Sequence, residues 1–123
     1  MGQHKERETV VALLYLKGMS GDFFPHEYPE TILERVNAVW DKIGELDAVI
    51  SANLENWTID RLNYVDLAIL RNAVYEMKYA GLPPQIVIDE AVELTKEFSN
   101  LDDDKARAFN NRLLDNIRKA LKL

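Results

Sequence analysis

Apolar residues recur along this chain at spacings of three and four, and strict alternation with polar residues never persists, so the pattern predicts helices and no strands. A first helix is expected from about Lys5 to Lys17. Val10, Val11, Leu13 and Leu14 form its broad apolar side, and Gly18 is its stop, with the turn continuing through Ser20-Gly21-Asp22. Phe23-Phe24-Pro25 is an apolar patch in a loop, expected to tuck under the second helix. That helix should begin at Pro29 and reach about Asn53, on the spacing of Ile32, Val36, Val39, Ile43, Leu46 and Ile50, with Gly44 weakening it but not breaking it. Thr58 is the expected cap of a brief helical turn. From about Tyr64 to Ala80 a central helix is apolar around most of its circumference, as a buried hub would be. Gly81 ends it, and Pro83-Pro84 turns the chain into a helix running to Phe98, with Val87, Ala91, Leu94 and Phe98 on one stripe. Asp102-Asp103-Asp104 is expected to cap a last helix to about Leu121, its core face formed by Ala106, Phe109, Leu113, Ile117 and Ala120. The expected architecture is all-α, a compact single-domain bundle over residues 1–123, with five main helices and a short helical turn.

Composition supports one core without covalent help. Of the 123 residues 47% are hydrophobic, and the absence of cysteine excludes disulfides and thiolate metal sites. That suits a reducing cytoplasm, the expected location. The polar Met1–Glu8 stretch precedes no long apolar run, so no signal peptide is read, and no stretch approaches the ~20 apolar residues of a membrane span. The net charge of −6 argues against a purely charge-driven nucleic-acid binder. Its distribution is uneven: residues 1–21 carry +1, 22–60 carry −7, 61–100 carry −2 and 101–123 carry +2. Two mildly basic ends would give a local basic face if they met, and ordinary solvated surface if they did not.

Catalytic chemistry is hard to assemble. The two histidines, His4 and His26, fall in an expected frayed end and a loop, and the chain has no zinc-protease motif, phosphate-cradling glycine loop or nucleophile elbow. Asp89, Glu90 and Glu93 read as helix N-terminal electrostatics, because the Glu-x-x-His pairs of four-helix carboxylate sites are missing. Asp102–Asp104 lacks the spacing of a calcium loop. No enzyme and no cofactor is therefore expected. Trp40 and Trp57 read as core residues or lids over the core, with exposed anchors the alternative. Tyr15 shares the first helix with Lys5, Arg7 and Lys17, and an aromatic beside cations can stack on an unpaired base while the cations take phosphates.

The segment from Trp57 to Phe98 carries a more specific pattern. It reads W-x-x-x-R at Trp57 and Arg61, and A-I-L-R-x-A-x-Y-E through Ala68, Ile69, Leu70, Arg71, Ala73, Tyr75 and Glu76. A third part, P-x-x-V-x-D-E-A-V-E-L-x-K-x-F, spans Pro84 to Phe98. Arg7-Glu8 with Leu14-Tyr15, and Phe109, Asn111 and Leu114-Asp115, extend it toward both ends. This pattern resembles the NusB family of transcription antitermination factors. The resemblance implies an all-helical, non-catalytic factor that pairs with the small-subunit ribosomal protein known as NusE. Together they would bind a boxA-type single-stranded RNA element and let the RNA polymerase antitermination complex ignore terminators, supporting ribosomal RNA synthesis and maturation. By position, it implies RNA contacts at Lys5, Arg7, Tyr15, Arg107 and Phe109, with Ala108 beside them, and partner contacts at Asp66, Tyr75 and Glu76. For Phe109 a core role is the alternative, and for Tyr75 and Glu76 packing is. Some family members self-associate, so a homodimer is a further expected assembly.

The chain also departs from the family's pattern. Its N-terminus is poor in arginine, Phe109-Asn110-Asn111-Arg112 replaces F-V-N-G, and Ser99-Asn100 replaces the usual glycine before the last helix. Two rivals follow. A NusB-like domain also forms the N-terminal part of a ribosomal RNA cytosine methyltransferase, and this chain, with no Rossmann-like region and no cysteine, would be only a fragment of one. The other rival is a NusB-like module that keeps its protein partner without binding RNA.

Overall fold

In the computed structural model α4 (Tyr64–Lys78) forms the centre, and the other five helices pack around it. The structure describes residues 3–19, 27–98 and 104–123. The expectations at Ser20-Gly21-Asp22, Phe23-Phe24-Pro25, His26, Ser99-Asn100 and Asp102-Asp103 lie outside the described residues. In chain order the elements are α1 (Gln3–Met19), α2 (Glu30–Asp41), α3 (Ile43–Ala52), a 3-10 turn (Ile59–Arg61), α4, α5 (Pro84–Phe98) and α6 (Lys105–Ala120). The described residues hold no strand.

The central helix is built as its sequence demands. Asn63 caps it, its side-chain Oδ1 accepting the Asp66 N–H at 2.7 Å, which satisfies one of the otherwise orphaned donors of the first turn. Leu67, Ala68, Ile69, Leu70, Ala73, Val74 and Met77 are all buried. At the other end Gly81 takes φ +68°, the left-handed conformation glycine adopts without steric cost, and the Leu82 N–H returns to the Glu76 carbonyl at 3.0 Å. Pro84 then opens α5, where a missing N–H costs nothing, and the Val87 N–H bonds the Pro83 carbonyl.

The single helix expected from Pro29 to Asn53 is two helices. Lys42 sits at φ −103°, ψ 12°, and its N–H bonds the Val39 carbonyl three residues back rather than continuing the α ladder. The chain resumes as α3, with the Leu46 N–H on the Lys42 carbonyl. Apolar spacing cannot reveal this break, because Val36, Val39, Leu46 and Ile50 stay on the core side across it. Nothing approaches within 4 Å of where a Cβ on Gly44 would sit, and its φ is not left-handed. Gly44→Ala is therefore expected to stabilise the fold by about 0.4–1 kcal/mol through the unfolded chain. Urea unfolding checks this, and a lowered midpoint would show that α3 needs the glycine.

Three local expectations are corrected. Neither Thr58 nor Asp104 makes a side-chain cap bond, although each precedes a helix, and the Asp104 carboxylate pairs with Arg107 instead. The core face of α6 is Asn110, Leu113, Leu114 and Ile117, while Phe109 and Ala120 are exposed. On α5, Phe98 is exposed, and Thr95 is buried with its hydroxyl on the Ala91 carbonyl at 2.8 Å. In both helices a polar residue with a bonding partner takes an inward position that hydropathy assigned to an aromatic.

Candidate functional site

The polar and charged chemistry of this chain falls into three places around α4 and α5. The first is a cleft of about 500 Å³ between α1, α2 and α4. Its floor is an ion pair. Arg7 Nε donates to both Glu76 carboxylate oxygens at 2.9 and 3.0 Å, and Nη2 donates to Oε2 at 2.8 Å. Asn72 Nδ2 adds a bond to Glu76 Oε1 at 3.0 Å, and Arg35 Nη1 lies 3.6 Å from Oε2. Glu76 is 2% exposed and Arg7 8%. Both residues thus face inward and engage each other. The Arg35 guanidinium also lies over the half-buried Tyr75 ring, 5.2 Å from its centroid. Glu6, Gln3, Thr31 and Glu34 form the polar rim.

The second place is a cleft of about 380 Å³ at the start of α6, lined by Trp57, Arg61, Leu62, Asn63, Asp66, Lys105, Ala106 and Phe109. Trp57 is 40% exposed and Phe109 38%, and the Arg61 guanidinium stacks on the Trp57 ring at 4.1 Å. Two accessible aromatic faces beside Arg61 and Lys105 make a surface on which flat, negatively charged ligands can stack. Arg107 pairs with Asp104 one turn away. Behind this surface is a buried polar knot. Asn110 Nδ2 donates to Asp66 Oδ1 at 3.3 Å and to Thr95 Oγ1 at 3.1 Å. It joins α4, α5 and α6 where they meet and holds Phe109, the adjacent residue, outward.

At the third place a side chain in the first turn of α1 reaches α5. His4 belongs to α1 and is no frayed end. Its Nδ1 lies 2.5 Å from Glu90 Oε2, and its Nε2 lies 2.8 Å from Glu97 Oε1. Hydrogen bonds to Glu90 and then Glu97 favour the imidazolium and raise the His4 pKa to about 9. A raised folded-state pKa means this contribution is complete below the ordinary value near 6.5 and is lost as pH rises through about 9. The stability difference between the chain and His4→Gln is thus expected to be largest below pH 6.5 and to vanish above pH 9. Urea midpoints across that range measure it, and a difference that grows with pH would contradict it.

Among the other residues expected to touch RNA, Lys5 is exposed, with Nζ 3.6 Å from a Glu8 carboxylate oxygen. Tyr15 is half-buried and packs against the core. Through His4 and Asn110, the first turn of α1 and the second turn of α6 both bond α5 between Glu90 and Glu97, so the two basic ends of the chain flank one helix. Asp66 and Tyr75 line different clefts. Sequence reasoning missed Arg35, Asn72, Lys105 and the buried role of Asn110. It also favoured core or lid for Trp57, which is 40% exposed with the Arg61 guanidinium over its ring. Trp40 is half-buried, with Lys17 and Arg71 near its ring at 5.3 and 5.8 Å.

The described helices include none long and apolar enough to cross a membrane. Comparison with known proteins agrees with the architecture. The NusB family pattern matches residues 4–119. The transcription antitermination protein NusB of Campylobacter curvus (strain 525.92) is 38% identical, over 94% of this chain and 95% of that protein. Among solved structures, NusB of T. maritima superposes with a TM-score of 0.82 at 26% identity, covering 97% of this chain and 92% of that one. A crystal structure of the antitermination factors NusB and NusE in complex with double-stranded RNA gives 0.79 at 28% identity, covering 98% and 99%. This chain belongs to the NusB family.

Proposed function

We propose that this chain is a transcription antitermination factor that binds a boxA-type single-stranded RNA element jointly with NusE, in the cytoplasm and without catalysis. The observation that carries the reading is the likeness, along 98% of the chain, to a NusB chain solved together with NusE and double-stranded RNA. The surface at the start of α6 supports it, since Phe109 and Trp57 are accessible for stacking and Lys105 and Arg61 adjoin them. In this reading Phe109, Arg107 and Lys5 meet the RNA, with Tyr15 of α1 as a further stacking residue. Arg7 acts from inside, fixing α1 on α4. The cleft holding Tyr75 takes NusE, Glu76 shaping it from the floor, and Asp66 positions the start of α6 through Asn110. Affinity for RNA alone is weak and rises with the partner bound, because linked contacts add effective concentration.

A second reading, a protein-interaction module without RNA binding, is favoured by one observation. Lys5, Arg7 and Arg107 each already adjoin a carboxylate, which lowers the positive charge offered to phosphates. Size-exclusion chromatography of the chain with NusE and a boxA oligonucleotide separates the two. Co-elution of all three components supports the first reading. A protein pair that leaves the RNA behind supports the second, and a self-associated chain that excludes NusE contradicts both.

A further inference from the structure

Nitrogen and oxygen donors converge where the first turn of α1 meets the last turns of α5. His4 Nε2 lies 2.8 Å from Glu97 Oε1 and 3.2 Å from Glu8 Oε1, and the three donor atoms all lie within 4.8 Å of one another. Metal–ligand bonds of about 2.0–2.1 Å in a tetrahedron place ligand atoms about 3.3–3.4 Å apart. The two separations from Nε2, 2.8 and 3.2 Å, are shorter than that edge, so outward side-chain movements of a few tenths of an ångström open a position for a cation between them. Carboxylates alone at this exposure would be hydrated surface. The imidazole makes the difference, through its other nitrogen. Nδ1 lies 2.5 Å from Glu90 Oε2, so Glu90 accepts the Nδ1–H and, once the Nε2 proton is displaced, holds the tautomer that leaves Nε2 facing Glu8 and Glu97. An imidazole oriented by a carboxylate on its far nitrogen is the arrangement by which proteins prepare a histidine to ligate a metal.

We propose that His4, Glu8 and Glu97 bind a divalent transition-metal cation of the Zn²⁺ class, with Glu90 as the positioning residue for the ring. One nitrogen and two carboxylate oxygens suit Zn²⁺, whereas Mg²⁺ favours an all-oxygen octahedron. The three side chains are 36%, 25% and 38% exposed, so a fourth position is open to water. Charge favours the exchange. Three carboxylates surround one imidazole, and the nearby Lys5 ammonium adjoins Glu8 Oε2, leaving Oε1 toward His4. Arg7, the other cation on this turn, is held by Glu76. On binding, the Nε2–H bond is replaced by an Nε2–metal bond, and the proton leaves to solvent while Nδ1–H stays on Glu90. The bound cation would clamp the first turn of α1 to the end of α5, so the proposal is independent of the RNA reading.

The test is calorimetric titration of Zn²⁺ into the full chain at pH 7, in two buffers of different ionisation enthalpy. Thermal midpoints are read with Zn²⁺ and again after EDTA. The expected result is stoichiometric uptake with release of about one proton and a midpoint raised by Zn²⁺ and restored by EDTA. Binding should weaken at least about tenfold in His4→Gln and in Glu97→Gln, by about 10–100-fold in Glu90→Gln, and not in His26→Gln. Mg²⁺ in excess should not displace it. If His4→Gln fails to fold, Glu97→Gln and Glu8→Gln carry the comparison, since both side chains are partly exposed. Absence of stoichiometric uptake, or equal uptake by the chain and its Glu97→Gln and Glu8→Gln variants, overturns the proposal.

Discussion

Arg7→Ala is expected to destabilise the fold by about 3–5 kcal/mol, because it leaves the Glu76 carboxylate buried with its main counter-charge gone. Glu76 is 2% exposed, and three of its hydrogen bonds come from Arg7. Arg35, 3.6 Å away, and the Asn72 amide remain, which places the loss toward the lower part of that range. Glu76→Ala should cost as much, because it strands a guanidinium whose side chain is only 10% exposed. The pair replaced together, as Arg7→Met with Glu76→Leu, should recover most of the loss, since burial without charge removes the desolvation penalty. Urea unfolding of the three variants measures this. Single variants within about 0.5 kcal/mol of the parent would show that the pair is solvated in solution. The consequence for function is practical: any loss of RNA binding in Arg7→Ala has to be separated from loss of the α1–α4 contact.

Phe109→Ala is expected to have the opposite profile. The residue is 38% exposed and lies at the edge of the core, so stability should change by less than about 1 kcal/mol. Stacking of one base on an aromatic ring is worth about 1–3 kcal/mol, so affinity for boxA RNA with NusE bound should fall by about five- to 150-fold. Trp57→Ala should move affinity in the same direction, because its ring lines the same cleft under Arg61. Anisotropy titrations on folded variants read this directly. A Phe109→Ala chain that loses stability and keeps its RNA affinity would return Phe109 to the core.

The helices were legible in the sequence wherever one apolar face met one core. α4 and α5 follow from periodicity and from their stops at Gly81 and Pro84, and α1 follows from periodicity alone, since it runs through Gly18, the expected stop, to Met19. The break at Lys42 was not legible, because Val39 and Leu46 keep the same helical phase on either side of it. The rotation of α6 was hidden for another reason. Asn110 reads as a surface residue until Asp66 and Thr95, far away in sequence, are brought to within bonding distance. The candidate site divides in the same way. Motif positions gave Arg7, Glu76, Asp66 and Phe109, but the sequence could not distinguish a cation that faces solvent from one that anchors a helix. Only the bidentate geometry on Glu76 makes Arg7 internal. His4 looked like part of a frayed end because its partners, Glu90 and Glu97, lie more than eighty residues along the chain.

The central claim is joint recognition of boxA RNA, and fluorescence anisotropy of a labelled boxA oligonucleotide tests it most directly. The titration is run with and without NusE, against a scrambled oligonucleotide, over a series of salt concentrations. The account predicts weak binding by the chain alone and tight, sequence-selective binding with NusE. The salt dependence should be shallow, since Lys5 and Arg107, two of the cations placed at the RNA, each adjoin a carboxylate. Equal affinity for the scrambled RNA, with NusE demonstrably bound, would contradict it and leave a protein-interaction module.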